Sequence, residues 1–326
     1  MNELALTSGI FLGQFAGNYI TYYWLALASL AVTVVYTVPA PFVLKETPRW
    51  LVTQGKIKEA QDVLLWLRGK KYSIHRELSE IEKQCDLETL SLLEKLQEFK
   101  KKSVYYPVVL AVVLVFFQCF TGIEAIVFNS KDILKHAEVP HPGQVAALTT
   151  GGVQIIFSLI GARFVDILGR RTLLITSSLV IIISLTALGA YEMFYYKPNC
   201  YPLFAIISVT FFIAGFSFGW GNATYVLISE MVPLRVRGIG VGIASVASWT
   251  FIIITTGLFR NYQEAIKPWG VFWSFSFMSI CGLIYVILFI PETKGKSLEE
   301  IENYFKTSTK RHFNSNMHMH VTIVAN

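Results

Sequence analysis

Residues 166–191 read DILGRRTLLITSSLVIIISLTALGAY. A carboxylate and two adjacent arginines stand before an uncharged run that continues from Thr172 to Tyr191. At 1.5 Å per helical residue, about 20 residues cover the ~30 Å hydrocarbon core of a bilayer, and a helix satisfies its backbone polar groups within itself. The stretch reads as a membrane span with a basic flank. Working outward, the same pattern recurs in eight mostly apolar runs, at 4–23, 24–44, 105–128, 145–164, 173–191, 203–229, 239–259 and 269–290. Eight such runs exceed what one soluble core needs, so the predicted fold class is an all-α, multi-pass membrane protein with eight transmembrane helices. The first run has Glu3 at its start and no Lys or Arg before it, which is not the pattern of a cleaved signal peptide.

Composition agrees. Of 326 residues 53% are hydrophobic, 14% aromatic and only 15% charged, with a mean hydropathy of +0.50. Those values exclude an ordinary soluble domain and a disordered chain. The formal charge of +6 comes from 28 basic against 22 acidic residues, and its placement decides what it means. Twenty-three of the basic residues fall on one side of the predicted spans, within 45–102, around Arg163, Arg170 and Arg171, at Arg235 and Arg237, and in the tail. The other side holds only Lys131, Lys135, Lys197, Arg260 and Lys267. By the positive-inside rule both termini are expected in the cytoplasm, and the charge is topological rather than a nucleic-acid footprint.

Cys85, Cys119, Cys200 and Cys281 fall in a cytoplasmic loop, in a span, outside and in a span, so no disulfide framework or metal spacing results. No His pair, nucleophile elbow or phosphate loop is present, and the six histidines all fall in loops or the tail, so no enzyme and no cofactor is expected. In 45–102, Ile57, Ala60, Val63, Leu64 and Leu67 recur at helical spacing, followed by Leu78, Ile81, Leu87, Leu90, Leu93 and Leu96. This pattern predicts short amphipathic helices on the cytoplasmic face. The expected organisation is two helices in 1–44, an amphipathic linker in 45–104, a six-helix bundle in 105–290 and a cytoplasmic tail in 291–326.

A faint repeat divides the spans further. Leu44, Lys45, Glu46, Thr47, Pro48 follows the second run and Ile290, Pro291, Glu292, Thr293, Lys294 the eighth, with six spans between them. Parallel six-helix halves would place the same signature at the end of each half. Lys45 to Leu51 (KETPRWL), Asp166 to Arg171 (DILGRR), Glu230 to Gly238 (EMVPLRVRG) and Pro291 to Gly295 (PETKG) stand in order, each at the cytoplasmic end of a span. Together they resemble the motifs of the sugar-porter branch of the major facilitator superfamily over about residues 1–305, in the manner of the insect facilitated trehalose transporters. The resemblance implies that the spans correspond to family helices five to twelve, with helices one to four absent.

The resemblance also assigns roles. Glu46, Arg49, Asp166, Arg170, Arg171, Glu230, Arg235, Arg237 and Glu292 would form a cytoplasmic gate of Arg–carboxylate pairs that latches the two halves in the outward-facing state. Read from the residues alone, the same charges are also consistent with a solvated collar, in which each pair is worth about 0–1 kcal/mol. Gln118, in a stretch similar to the family's Gln-Gln-x-Ser-Gly-Ile-Asn, and Gln154 would hydrogen-bond sugar hydroxyls, with helix–helix hydrogen bonding as the alternative. Gly122 would let its helix bend. Other substrate positions depart from the family: Cys119 replaces a Gln, Glu124 an Asn, Tyr225 a Trp, Ser248 before Trp249 an Asn, and Thr7 a Gln. Asn222 and Thr224 replace two prolines, which predicts a more regular helix there. The implied protein is a plasma-membrane sugar transporter, facilitative or proton-coupled, working by alternating access on a small-molecule sugar, in an incomplete form. The alternative is a transport-incompetent carrier that acts as a binding, sensing or dominant-negative partner, or a partial gene product.

Overall fold

The computed structural model describes residues 2–69, 74–75, 77–79, 81–82, 94, 97–194, 202–297 and 300–305. Cys85, Cys200, Leu87, Leu90, Leu93, Leu96, His312, His318 and His320 lie outside them. The described residues form helices and no strand. The helices are α1 (Asn2–Ala16), α2 (Tyr22–Thr37), α3 (Ala40–Val43), α4 (Pro48–Thr53), α5 (Ile57–Arg68), α6 (Lys102–Phe120) and α7 (Ile123–His136). They continue as α8 (Pro142–Ala146), α9 (Val153–Leu168), α10 (Arg170–Phe194), α11 (Pro202–Phe218), α12 (Trp220–Met231) and α13 (Arg237–Phe289), with a π-helical stretch, Ala147–Gly152, joining α8 to α9.

Among the described residues six helical stretches are long and apolar enough to cross a membrane: Tyr22–Val43, Lys102–His136, Pro142–Leu168, Arg170–Phe194, Pro202–Met231 and Leu234–Phe289. Two features separate this count from the eight expected. The α1 helix has 15 residues, short of a full span. The last stretch has 56 residues, far longer than one bilayer crossing, and contains the seventh and eighth expected runs on either side of Lys267. Lys267 takes φ +64 and ψ 158, a non-helical conformation that separates the two parts. Its extended ψ is what Pro268 imposes on the residue before it.

Contacts divide the chain into two compact units. The larger contains Met1–Tyr19, Lys102–Pro233 and Gly238–Asn326, and the smaller contains Ile20–Lys101 with Leu234–Arg237. Residues 1–44 are thus shared between the units, with α1 in the larger and α2 in the smaller.

In the smaller unit no residue of α2 is buried. The Thr47 hydroxyl caps α4 by accepting from the Trp50 amide at 3.3 Å, and Pro48 takes the first helical turn, where a missing N–H is harmless. The expected amphipathic pattern forms α5, which buries Ala60, Val63 and Leu64 against Leu51, Ile74 and Leu78 and leaves Ile57 and Leu67 exposed. Arg68 donates to both oxygens of Glu77 at 2.9 and 3.3 Å, tying the end of α5 to the residues beyond it.

In the larger unit, Leu173, Leu174, Ile181, Leu185 and Leu188 of α10 are fully buried, as are Val209, Phe212 and Ile213 of α11. Two glycine breaks interrupt this packing. Gly122, between α6 and α7, has φ +81, and a Cβ there would lie 2.3 Å from the Phe275 ring. The bend expected at Gly122 is present, and only a glycine fits it. The second break corrects an expectation: the helix carrying Asn222 and Thr224 is not regular. It stops at Gly219 (φ −120, ψ −71) and restarts at Trp220. A Cβ on Gly219 would lie 2.3 Å from Ser177 Cβ and 2.5 Å from the Leu173 carbonyl, so close backbone approach to α10, rather than proline, sets the break.

Gly219→Ala is expected to destabilise the protein by about 1–3 kcal/mol through overpacking against backbone. Gly257→Ala, where a Cβ would meet nothing within 4 Å, is the control and should be neutral or slightly stabilising. Thermal unfolding in detergent measures both, and equal midpoints would remove close packing as the reason for the break.

Candidate functional site

Freed backbone groups at a helix break in an apolar bundle need partners, and here side chains supply them. At the Gly219 break, the Trp220 amide donates to Ser177 Oγ at 3.3 Å and the indole Nε1 donates to Ser178 Oγ at 2.9 Å. The Trp220 carbonyl accepts from Gln118 Nε2 at 3.1 Å and from the Thr224 hydroxyl at 2.7 Å. Asn222 Nδ2 donates to the carbonyls of Ser158 at 3.1 Å and Ser217 at 2.6 Å. Both positions read as lost prolines thus carry side-chain bonds at the break.

A cavity of about 180 Å³ opens beside this network, wholly within the larger unit. Its lining includes Gln118, Cys119 and Glu124 around the Gly122 bend, Gln154 and Ser158 from α9, Ser217 and Tyr225 from the two sides of the Gly219 break, and Ser248 and Trp249 from α13. The Tyr225 hydroxyl donates to Ser248 Oγ at 3.1 Å, and Cys119 Sγ sits 3.7 Å from the same oxygen. Gln118 is buried and its amide nitrogen is already engaged by the Trp220 carbonyl. Gln154 and Glu124 are half-buried, and neither side chain has a hydrogen bond or ion pair to another described residue.

Seven of the eight substrate positions read from the sequence are therefore brought to one cavity: Gln118, Cys119, Glu124, Gln154, Tyr225, Ser248 and Trp249. Thr7 is buried and does not line it; its neighbours Leu6 and Ile10 do, one helical turn apart on α1. The lining also includes Ser158, Ser217 and Phe216, which the sequence reading missed. Ser158 had a usable signal, since it stands four residues after Gln154 on the same helix face. Ser217 and Phe216 had none, because only the Gly219 break places them there.

The charged residues gather elsewhere. Arg170 Nη2 lies 2.9 Å from Glu230 Oε1 and 3.2 Å from Asp166 Oδ1, while Thr293 donates its hydroxyl to the other Glu230 oxygen at 2.7 Å. Glu292 accepts from the backbone amides of Arg170 (3.1 Å), Arg171 (3.2 Å), Thr293 (3.0 Å) and Lys294 (3.0 Å). A carboxylate there satisfies free N–H groups at the start of α10 and meets the positive end of the helix dipole. Gly169 has φ +91, and a Cβ on it would lie 2.7 Å from the Glu292 carboxylate. Five of the nine expected gate residues, Asp166, Arg170, Arg171, Glu230 and Glu292, thus brace helix ends within one unit. Glu46, Arg49, Arg235 and Arg237 belong to the other unit. The segment from Glu230 to Arg237 is not a continuous helix, because Val232 before Pro233 is extended and a 3₁₀ turn follows at Leu234–Val236.

A family model described as sugar (and other) transporter matches residues 1–305. The chain belongs to the sugar transporter family. Its similar relatives include the facilitated trehalose transporter Tret1 of Apis mellifera ligustica, 33% identical over 309 residues, and that of Bombyx mori, 34% identical over 316 residues. In each case the match covers 93% of this chain and 61% of the relative, so the chain spans about three fifths of the length of these relatives. Among solved structures, the proton:xylose symporter XylE of the major facilitator superfamily, bound to 6-bromo-6-deoxy-D-glucose, superposes with a TM-score of 0.73 at 24% identity, covering 93% of this chain and 66% of that one. The inward-open form of XylE from E. coli gives a TM-score of 0.70 at 23% identity, with 93% and 64% covered. This sugar transporter family member therefore has the major facilitator fold and is an integral membrane protein rather than an enzyme.

Glu292→Ala is expected to cost about 1–2 kcal/mol by uncapping α10. Glu292→Gln, which keeps one acceptor oxygen, should lose less. Hydrogen exchange at the Arg170 and Arg171 amides reads the effect directly, and unchanged protection in the alanine variant would show that the cap is dispensable.

Proposed function

We propose that the chain supplies the sugar-binding bundle of a membrane carrier that moves a sugar by alternating access, with the 180 Å³ cavity as its binding site. The observation that carries this reading is the convergence of Gln154, Glu124, Tyr225, Ser248 and Trp249 on one cavity in an apolar bundle. Polar side chains inside a membrane protein usually serve a cavity or a partner helix, and Gln154 has no partner among the described residues. Its amide offers a donor and an acceptor to adjacent hydroxyls, while the Tyr225 and Trp249 rings can stack on the apolar face of a pyranose. The Tret1 relatives, named as facilitated trehalose transporters, support the substrate class.

In this reading the basic face is cytoplasmic, both termini lie on that side and the carrier works in the plasma membrane. The brace around Arg170 and Glu292 keeps the helix ends of the bundle together, while Glu46, Arg49, Arg235 and Arg237 supply the charges whose pairing differs between the outward- and inward-facing states. Sugar shifts that equilibrium only by its differential affinity for the two states.

Equilibrium binding of radiolabelled D-glucose and trehalose to the purified protein in nanodiscs tests the site. Gln154→Ala is expected to weaken sugar binding up to about tenfold at unchanged thermal stability, since a lost hydrogen bond costs about 0.5–1.5 kcal/mol. Gln118→Ala should lower stability as well, because it also unties the Trp220 carbonyl. Saturable binding unaffected by Gln154→Ala would return that amide to helix packing, and no saturable binding by the parent protein would defeat the reading.

A further inference from the structure

The cavity contains one group that a neutral sugar does not explain. Glu124 lies in the first turn of α7, directly after the left-handed Gly122, and lines the cavity among amide, hydroxyl, thiol and aromatic groups. No Lys, Arg or His is among the lining residues, and Glu124 has no ion pair or hydrogen bond to a described residue. An amide at this position would serve sugar hydroxyls equally well without the desolvation penalty of a charge. Burial in an apolar bundle penalises the charged form of a carboxyl that has no cation beside it, and the positive end of the helix dipole in the first turn of α7 offsets only part of that cost. The result is a carboxyl in a low-dielectric surrounding with no counter-charge among the described residues that line the cavity.

We propose that this counter-charge comes with the substrate: the cavity selects a sugar that carries a protonated amine, an amino sugar, with Glu124 as the ammonium acceptor and Gln154 and the Tyr225–Ser248 pair facing its hydroxyls. This rests on the cavity being a sugar site and names the class of sugar it takes. An ammonium has three donors and no acceptor, so it brings the carboxyl both a hydrogen bond and a neutralising charge, whereas a sugar hydroxyl brings only the hydrogen bond. Acetylation of the amine removes both its charge and the advantage.

Binding of radiolabelled D-glucose, D-glucosamine and N-acetyl-D-glucosamine to the full chain in nanodiscs, at about pH 6 where an amine is protonated, tests the proposal. D-glucosamine is expected to bind at least about tenfold more tightly than D-glucose, and N-acetyl-D-glucosamine no more tightly than D-glucose. In Glu124→Gln the preference for D-glucosamine over D-glucose should fall to within about threefold. Equal binding of D-glucose and D-glucosamine by the parent protein overturns the proposal whatever the variant does. So does a preference that survives in a Glu124→Gln protein whose unfolding midpoint matches the parent's. Binding of D-glucose that depends on pH through Glu124 without any preference for the amine would make the carboxyl a proton site instead. Failure of all three sugars to bind would remove the sugar reading itself, and this one with it.

Discussion

Backbone amides and carbonyls inside hydrocarbon must find partners, and this constraint explains where the chain is straight and where it is functional. Helices without interruption, such as α10, satisfy themselves and can be built almost wholly from apolar residues and hydroxyls. Interruption is tolerated only where other side chains take over the freed groups. At Gly219 that duty falls to Ser177, which accepts from the Trp220 amide, and to Asn222, which donates to the Ser217 carbonyl. The polar residues recruited to repair the break bring donors and acceptors to its edge, and the cavity opens beside them. Structural necessity and the candidate binding site thus draw on neighbouring side chains.

The same constraint acts at the helix ends, with a different solution. The N–H groups at the start of α10 are taken by the Glu292 carboxylate, and Arg170 beside them is held by Glu230 and Asp166. Three motifs far apart in sequence therefore meet for one reason. Gly169 lets the carboxylate approach, Arg170 begins the helix, and the segment after the last span supplies the cap. A charge cluster of this kind is worth more than its exposed pairs suggest, because backbone groups and charges are satisfied together.

Much of the architecture was legible beforehand. Apolar runs of about 20 residues admit few interpretations, and the basic residues flanking them mark one face. The bend at Gly122 could be expected from a glycine within a polar interruption of an apolar run. Less legible was the helix carrying Asn222 and Thr224: without prolines it reads as continuous, yet it breaks at Gly219 because α10 passes too close for a Cβ. The two glutamines also looked equivalent in sequence. One proved to be tied to a backbone carbonyl and the other unengaged at the cavity wall.

Hydropathy and charge placement by themselves determined that this is a helical membrane protein, because the cost of burying a peptide group or a charge in hydrocarbon is so large that composition reveals it. The ordered motifs at the span ends determined its family resemblance. What only the tertiary structure decided is which polar side chains are consumed by the fold and which are left to meet a ligand. That distinction depends on whether a partner lies within about 3 Å, a matter of helix crossing and local breaks rather than of residue type. Gln118 and Gln154 share a residue type but not a partner, and Glu124 stands out because no Lys, Arg or His lines the cavity it faces.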